Sequence, residues 1–219
     1  MLCALLRHPA ISSIVQRHLL ELGSGTGLAG LFAAKGGAHI LLTDVPSLTP
    51  LLWRNIRANS HEGPSVAAAH TSADRLQPLG FQGACSVGAA GGSAAACALD
   101  WTQGCAAQLA QHKQRLQQLH AVIACEVLWL QELVEPYCRT LAWLLAPPQR
   151  PRCFMSFTAR GTEQSKTFAS RSQVLACLAR HGCAVQEVPE LAAQTADGEA
   201  VEAWILQKHA NRQAASAAP

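Results

Sequence analysis

Glu21, Gly23, Gly25 and Gly27 form the densest chemical signal in the chain. They lie in LLELGSGTGLAG, residues 19–30, where an apolar run ends in an acid and glycines follow at alternate positions. Glycine is needed where the backbone takes φ > 0 or lies against a ligand, because a Cβ would clash in both cases. A strand therefore runs into a turn sized for a phosphate or a nucleoside. The LAGLFAAKGG that follows reads as a short helix, and its amide-rich start favours a carboxylate or phosphate. Seventeen residues beyond Gly27, the run HILLTD ends in Asp44, a position from which a carboxylate accepts hydrogen bonds from both hydroxyls of a ribose. Glycine turn and strand-end acid together point to an adenosine-containing ligand.

Gly25, Gly27 and Gly30 also satisfy the dinucleotide pattern G-x-G-x-x-G, so a nicotinamide or flavin enzyme is a rival reading. In that motif the first glycine directly follows an apolar strand, whereas here Glu21 stands two residues before Gly23. An acid there suits a ligand with an ammonium or hydroxyl near the turn and repels a pyrophosphate. S-adenosylmethionine carries such an ammonium. No G-K-[ST] follows the glycines, which removes the P-loop reading. Ser24 and Thr26 do not form a usable G-x-S-x-G elbow, so hydrolase chemistry is not expected.

A second group lies further along. Glu126 follows VIAC at the end of the strand expected beside the first, which places a carboxylate at the mouth of the same crevice, where it could hold an incoming ammonium. Trp129, three residues on, could add an aromatic wall that favours a cationic or methylated nitrogen. Each has a plainer alternative. Glu126 could be an acid at the start of the next helix, and Trp129 could be core.

These residues need a scaffold. Short apolar runs alternating with helical patterns predict strands near 18–22, 38–43, 120–125, 152–158, 183–188 and 201–208. The strongest helix is 130–145, where Leu130, Leu133, Val134, Tyr137, Leu141 and Leu144 recur at three and four residues. Such alternation builds a mostly parallel sheet with helices on both faces and a ligand beyond the carboxyl ends of the strands. Residues 73–96 are rich in Ala, Gly and Ser without an apolar period, and are read as a flexible insertion in a single domain spanning 1–209. Either VAAAHT or AAACALD supplies the remaining edge strand. The tail 210–219 is expected to be disordered.

Composition narrows the class. A length of 219 residues suits one α/β domain with a core of its own. Nine cysteines, an odd number without a C-x-x-C pair, argue against a disulfide framework and a structural zinc, and no pair of histidines has metal-ligand spacing on one element. Free thiols within apolar runs imply a reducing compartment. A formal charge of +3 with 14% charged residues leaves no basic face for nucleic acid. No segment is long and apolar enough for a membrane span or a signal sequence, so a soluble cytoplasmic, and also nuclear, protein is expected.

ELGSGTGLAG, LLTDVPSLTPLLWRNIRANS, ALDW and VIACEVLWLQELVEPYCRTLAWLL together resemble the class I, seven-strand protein-lysine methyltransferases, the group that modifies chaperones and translation factors. The resemblance implies a doubly wound, Rossmann-like sheet, S-adenosyl-L-methionine as cofactor, and a lysine-containing protein as substrate. It assigns Glu21, Gly23, Gly25, Gly27, Asp44, Trp101 and Cys125 to the cofactor, with the Trp101 indole beside adenine. It assigns Glu126 and Trp129 to substrate and catalysis, and no metal. The family carries Asp followed three residues later by Tyr where this chain has Glu126 and Trp129, so charge and aromaticity are kept while the carboxylate gains a methylene and the phenol hydroxyl is lost. Relatives also carry several tens of residues before the glycine turn, where about twenty stand here, and residues 1–17 read as a shortened remnant. A catalytically silent binding module of the same fold is the second rival.

Overall fold

The computed structural model describes residues 17–60, 84–196 and 198–209. The expected N-terminal remnant up to residue 16, the VAAAHT run, the first part of the expected insertion and the tail from residue 210 lie outside them. Among the described residues, nine strands form one sheet: β1 (His18–Leu22), β2 (His39–Asp44), β3 (Cys85–Val87), β4 (Gly92–Ala98), β5 (Ala121–Cys125), β6 (Arg152–Thr158), β7 (Cys183–Glu187), β8 (Ala193–Gln194) and β9 (Ala200–Lys208). Their order is β3-β4-β2-β1-β5-β6-β9-β7, with β8 on β9. The pairings from β4 through β2, β1 and β5 to β6 are parallel, while β9 runs antiparallel to both β6 and β7. Strand order reverses at β1, so a crevice opens between the ends of β1 and its neighbours.

The longer helices are α1 (Leu28–Lys35), α2 (Thr49–Asn59), α3 (Gln131–Leu144) and α4 (Arg171–Arg180). Alternation along each strand feeds two cores, because successive side chains point to opposite faces. Leu19, Ile40 and Leu42 pack with Leu31, Leu52 and Ile56 of α1 and α2. Leu20, Leu22 and Leu41 pack with Val134, Tyr137 and Leu141 of α3 and Val174 and Leu178 of α4. All six strands predicted from periodicity are present within a residue or so of their expected bounds, as is α3.

The segment expected as a flexible insertion is corrected from Cys85 onward. Residues 85–98 form a hairpin, β3 and β4, and β4 pairs in parallel with the whole of β2. AAACALD, not a loop, therefore supplies the strand. Its alanines answer a close approach rather than a propensity: a Cβ at Gly92 would collide with the Ala34 carbonyl at the end of α1, and Ala94, Ala95 and Ala96 are all buried. Burial overrides the weak strand preference of alanine.

Two local devices fix the far side of the sheet. Ser170 caps α4 in a reciprocal box, accepting from the Gln173 amide while the Gln173 side chain accepts from the Ser170 amide. Glu135 of α3 accepts from Arg180 at 3.0 Å and the Cys177 thiol at 3.2 Å, and pairs with His181 Nε2 at 2.7 Å. The His181 and Cys177 hydrogen bonds hold the Glu135 carboxyl below its ordinary range. Tertiary structure thus assembles a Glu-Cys-His group whose members satisfy one another and pin α3 to α4.

Candidate active site

A cavity of about 590 Å³ opens over the carboxyl ends of β1, β2, β4 and β5. Its floor is the glycine turn. Gly23, Gly25 and Gly27 all have positive φ, at 66°, 55° and 80°, the left-handed region where a Cβ is strained. A Cβ on Gly23 would meet Val127 at 2.7 Å and the Trp101 ring at 3.2 Å, while one on Gly25 would meet nothing within 4 Å. Gly25 is thus the point where a ligand can lie on bare backbone. Gly27 departs from its expected role. It caps α1 with its Cβ direction against Leu42 and Leu52, and it does not line the cavity. It serves packing of the turn rather than ligand contact.

Several polar groups hold this floor. Ser24 exchanges hydrogen bonds with Thr43, its amide donating to the Thr43 carbonyl and its hydroxyl accepting from the Thr43 amide, both at 3.0 Å. The Thr43 hydroxyl donates back to the Glu21 carbonyl at 2.6 Å. From α2, Asn55 donates to the Thr26 carbonyl at 2.8 Å. The Asp44 Oδ2 accepts from the Gly25 amide at 2.7 Å and Oδ1 from the Val45 amide at 2.8 Å. Each oxygen keeps a further lone pair, and Asp44 lines the cavity.

Glu21 lines the same cavity but is only 2% exposed. Its Oε2 has no hydrogen-bond partner among the described residues. Burial pushes its carboxyl up to about 8, against the opposing hydrogen bonds from Ser24 and the Gly30 amide, with the Asp44 charge adding to the rise. A buried acid with an orphan oxygen is a site waiting for a donor, above all a cationic one.

Trp101 forms a side wall. Its ring meets Tyr137 edge-on at 5.1 Å, and its buried indole N–H has no partner among the described residues. The loop carrying it is clamped by Gln108, which donates to the Asp100 carbonyl and accepts from the Asp100 amide, each at 2.8 Å. Cys125 lines the cavity and accepts from the Ser156 hydroxyl at 3.4 Å, and burial raises its thiol.

Glu126 and Trp129 stand on the outer side, where both line the cavity and a narrow recess beside it. Glu126 has φ 55°, and its buried Oε1 has no partner among the described residues. The helix-start alternative fails, since α3 begins at Gln131 and its cap, Leu130, has no side-chain bond. Trp129 is 41% exposed, so it is a rim residue and not core. Exposed Leu28 and Val45 continue an apolar rim.

Sequence reasoning assigned no role to Gln108, Asn55 or the Ser24–Thr43 clasp, all of which act on backbone and leave no motif. It also passed over Thr158, which lines the recess beside Glu126 and whose buried hydroxyl has no partner among the described residues.

Residues 2–78 match the family model described as lysine methyltransferase. The chain is 34% identical over 61 residues to EEF1A lysine methyltransferase 3 of Xenopus tropicalis, covering 27% of each chain. It is 40% identical over 48 residues to protein-lysine methyltransferase METTL21E of Bos taurus, covering 22% of this chain and 17% of that one. The alignments thus span about a quarter or less of those relatives' length. Among solved structures it is similar to magnesium protoporphyrin IX methyltransferase from Synechocystis with bound SAH, with a TM-score of 0.58 at 12% identity over 95% of this chain and 82% of that one. A methyltransferase from Methanosarcina mazei gives 0.55 at 12% identity over 92% and 97%. The fold is that of the class I methyltransferases, and the resemblance to the lysine methyltransferases holds in sequence over the segment that carries the glycine turn and Asp44.

Proposed function

We propose that this protein is an S-adenosylmethionine-dependent methyltransferase acting on a lysine side chain of another protein. The observation that carries the reading is the pairing, around one cavity, of a buried acid with an orphan oxygen, Glu21, and a strand-end carboxylate, Asp44, on either side of bare backbone at Gly25. Glu21 suits an ammonium, Asp44 a pair of ribose hydroxyls, and Trp101 the flat face of a purine. The lysine methyltransferase match supports the choice of acceptor.

When bound, the cofactor supplies a methyl group on a sulfonium, ready for in-line displacement. The residues of the chain do the positioning, which in favourable cases supplies about 7 to 11 kcal/mol of barrier reduction. Glu126 attracts and orients the incoming ammonium at the cavity mouth. Trp129 walls the approach with an aromatic face that tolerates cationic and methylated nitrogen. A lysine ammonium has an ordinary pKa of about 10.4, and loss of its water on entering the cavity favours loss of its proton, against the pull of Glu126. Leu28, Val45 and Trp129 give the substrate protein an apolar rim to dock against.

The partner is a lysine-bearing protein, with a chaperone or translation factor as the expected class, supported by the EEF1A methyltransferase among the relatives. The cysteines from Cys85 to Cys183 are all free among the described residues, which supports a reducing location in the cytoplasm or nucleus. No helix of the described residues is long and apolar enough to cross a membrane. Calorimetry with S-adenosylhomocysteine and with NADH, beside tritium transfer from labelled cofactor to lysate proteins, tests the reading. S-adenosylhomocysteine binding with protein labelling is expected. NADH binding alone would overturn it, and cofactor binding without transfer on any lysate would identify a silent module.

A further inference from the structure

Glu135, Cys177 and His181 take no part in lining the cavity. Each offers one ligand atom, and these atoms all lie within 4.8 Å of one another. Two of the three pairs are already in contact, with Cys177 Sγ 3.2 Å from Glu135 Oε2 and His181 Nε2 2.7 Å from Glu135 Oε1. Donor atoms around a tetrahedral ion stand roughly 3.3 to 3.6 Å apart, given metal–ligand lengths of about 2.0 to 2.3 Å. The set is thus within side-chain adjustment of that geometry. Local structure explains the gathering. Cys177 lies in α4 and His181 caps it four residues on, so both share one helix face, and Glu135 answers from α3. The Cys177 side chain is buried, whereas those of Glu135 and His181 are 49% and 24% exposed. A sulfur floor therefore lies beneath two donors that water reaches.

Independently of the methyl-transfer reading, we propose that Glu135, Cys177 and His181 bind a thiophilic divalent cation, zinc above all, that clamps α3 to α4. Sulfur, nitrogen and oxygen together suit zinc, whereas magnesium and calcium take oxygen alone. A thiol is a weak hydrogen-bond donor, so a group built only for ion pairing gains little from placing one against a carboxylate. As a thiolate it is the softest ligand of the three. On binding, the S–H bond of Cys177 breaks, a sulfur–metal bond forms and the proton leaves to water. Thiolate and carboxylate then cancel the two charges of the ion, His181 binds through Nε2 with its proton on Nδ1, and water takes the fourth position. Cys138, three residues beyond Glu135 on α3, hydrogen-bonds the Cys177 sulfur, as an outer partner of a bound ligand does. Arg180, which donates to Glu135 Oε2 at 3.0 Å, has a side chain 70% exposed and turns into water as the cation arrives. A Cys-x-x-x-His step on one helix answered by a Glu on another carries neither the C-x-x-C nor the paired-histidine signature of a zinc site.

The test titrates cobalt(II) and then zinc into the full chain, reduced and freed of metal with a chelator. Cobalt is expected to give a thiolate-to-metal charge-transfer band with the visible bands of a tetrahedral site, and zinc to abolish both. Zinc should also raise the melting temperature by several degrees, as a ligand of the folded state does. His181→Gln retains a donor to Glu135 but removes a ligand, and should weaken zinc at least about tenfold. Cys177→Ser should remove the charge-transfer band. Cys85→Ser, a thiol on β3 away from the group, should leave band and affinity as in the parent. Absence of a thiolate band in the parent would overturn the site, as would a band and affinity unaltered in His181→Gln. Loss of the band in Cys85→Ser would place the ion elsewhere and overturn it too. Should Cys177→Ser fail to fold, His181→Gln, altered at the partly exposed end of α4, decides the matter alone.

Discussion

Asp44 Oδ2 accepts the Gly25 amide at 2.7 Å, so the carboxylate at the end of β2 braces the turn at the end of β1. One side chain thus shapes the floor of the cavity and presents its remaining lone pairs to whatever lies on it. Asp44→Ala should lower affinity for S-adenosylhomocysteine by at least about tenfold, since charge-assisted hydrogen bonds contribute about 1.5 to 3 kcal/mol each. Calorimetry gives the affinity and circular dichroism the fold. Affinity equal to the parent would remove Asp44 from the site.

Glu21 couples binding to protons. In the folded chain its carboxyl is raised from 4.5 to about 8, so between these values the folded protein holds a proton that the unfolded chain has released. Stability therefore falls as pH rises through that window, and the full penalty is present above it. Glu21→Gln should unfold later than the parent at pH 8.5 and alike at pH 4. An ammonium bound against Glu21 lowers its pKa, so S-adenosylhomocysteine binding at pH 7 should release a proton. Titrations in two buffers of different ionisation enthalpy measure this release, and a binding heat independent of buffer would refute it.

Glu126→Gln keeps shape and loses charge. Methyl transfer to lysate proteins should drop about 10²- to 10³-fold, as for other single electrostatic contacts in a site, with cofactor affinity nearly unchanged. Glu126→Asp should retain part of the activity because it restores the acid that relatives carry. Equal transfer by Glu126→Gln and the parent would end the substrate-holding role.

Gln108 makes two 2.8 Å bonds to the Asp100 backbone and touches nothing in the cavity. Gln108→Ala should release the Trp101 wall, weakening S-adenosylhomocysteine binding several-fold while the melting temperature drops by only a few degrees, in line with the loss of ordinary hydrogen bonds of about 1 kcal/mol each. Trp101 fluorescence, followed in a variant lacking the other tryptophans, should shift to the red. An unshifted spectrum would show that the loop holds without the clamp.

The parts of this architecture that periodicity encodes were legible in the sequence. β1, β2, β5, β6, β7, β9 and α3 each carry an apolar run or a three-four repeat, and Glu21, Asp44 and Glu126 stand out because acids are unusual at the ends of such runs. β4 was half legible: AAACALD stood as one of two candidate strands, but the start of the hairpin was hidden because Gly92 and the alanines, set by how closely α1 crosses them, imitate a loop. Gly27 carried the look of a ligand-contacting glycine, yet Leu42 and Leu52 lie where its Cβ would point. Gln108 acts on the backbone of Asp100, eight residues back, and Thr158 is marked by a buried hydroxyl without a partner among the described residues. No local pattern records either.

The left-handed backbone at Glu126, φ 55°, has a consequence for the evolution of the protein. A residue with a side chain held there costs on the order of 1 kcal/mol or more relative to glycine, so Glu126→Gly is the substitution that heat selection alone would favour. The same change deletes a carboxylate that lines the cavity. Lineages kept for thermal resistance without activity should accumulate glycine at this position, and a persistent acid there is the mark of a chain still under selection for its chemistry.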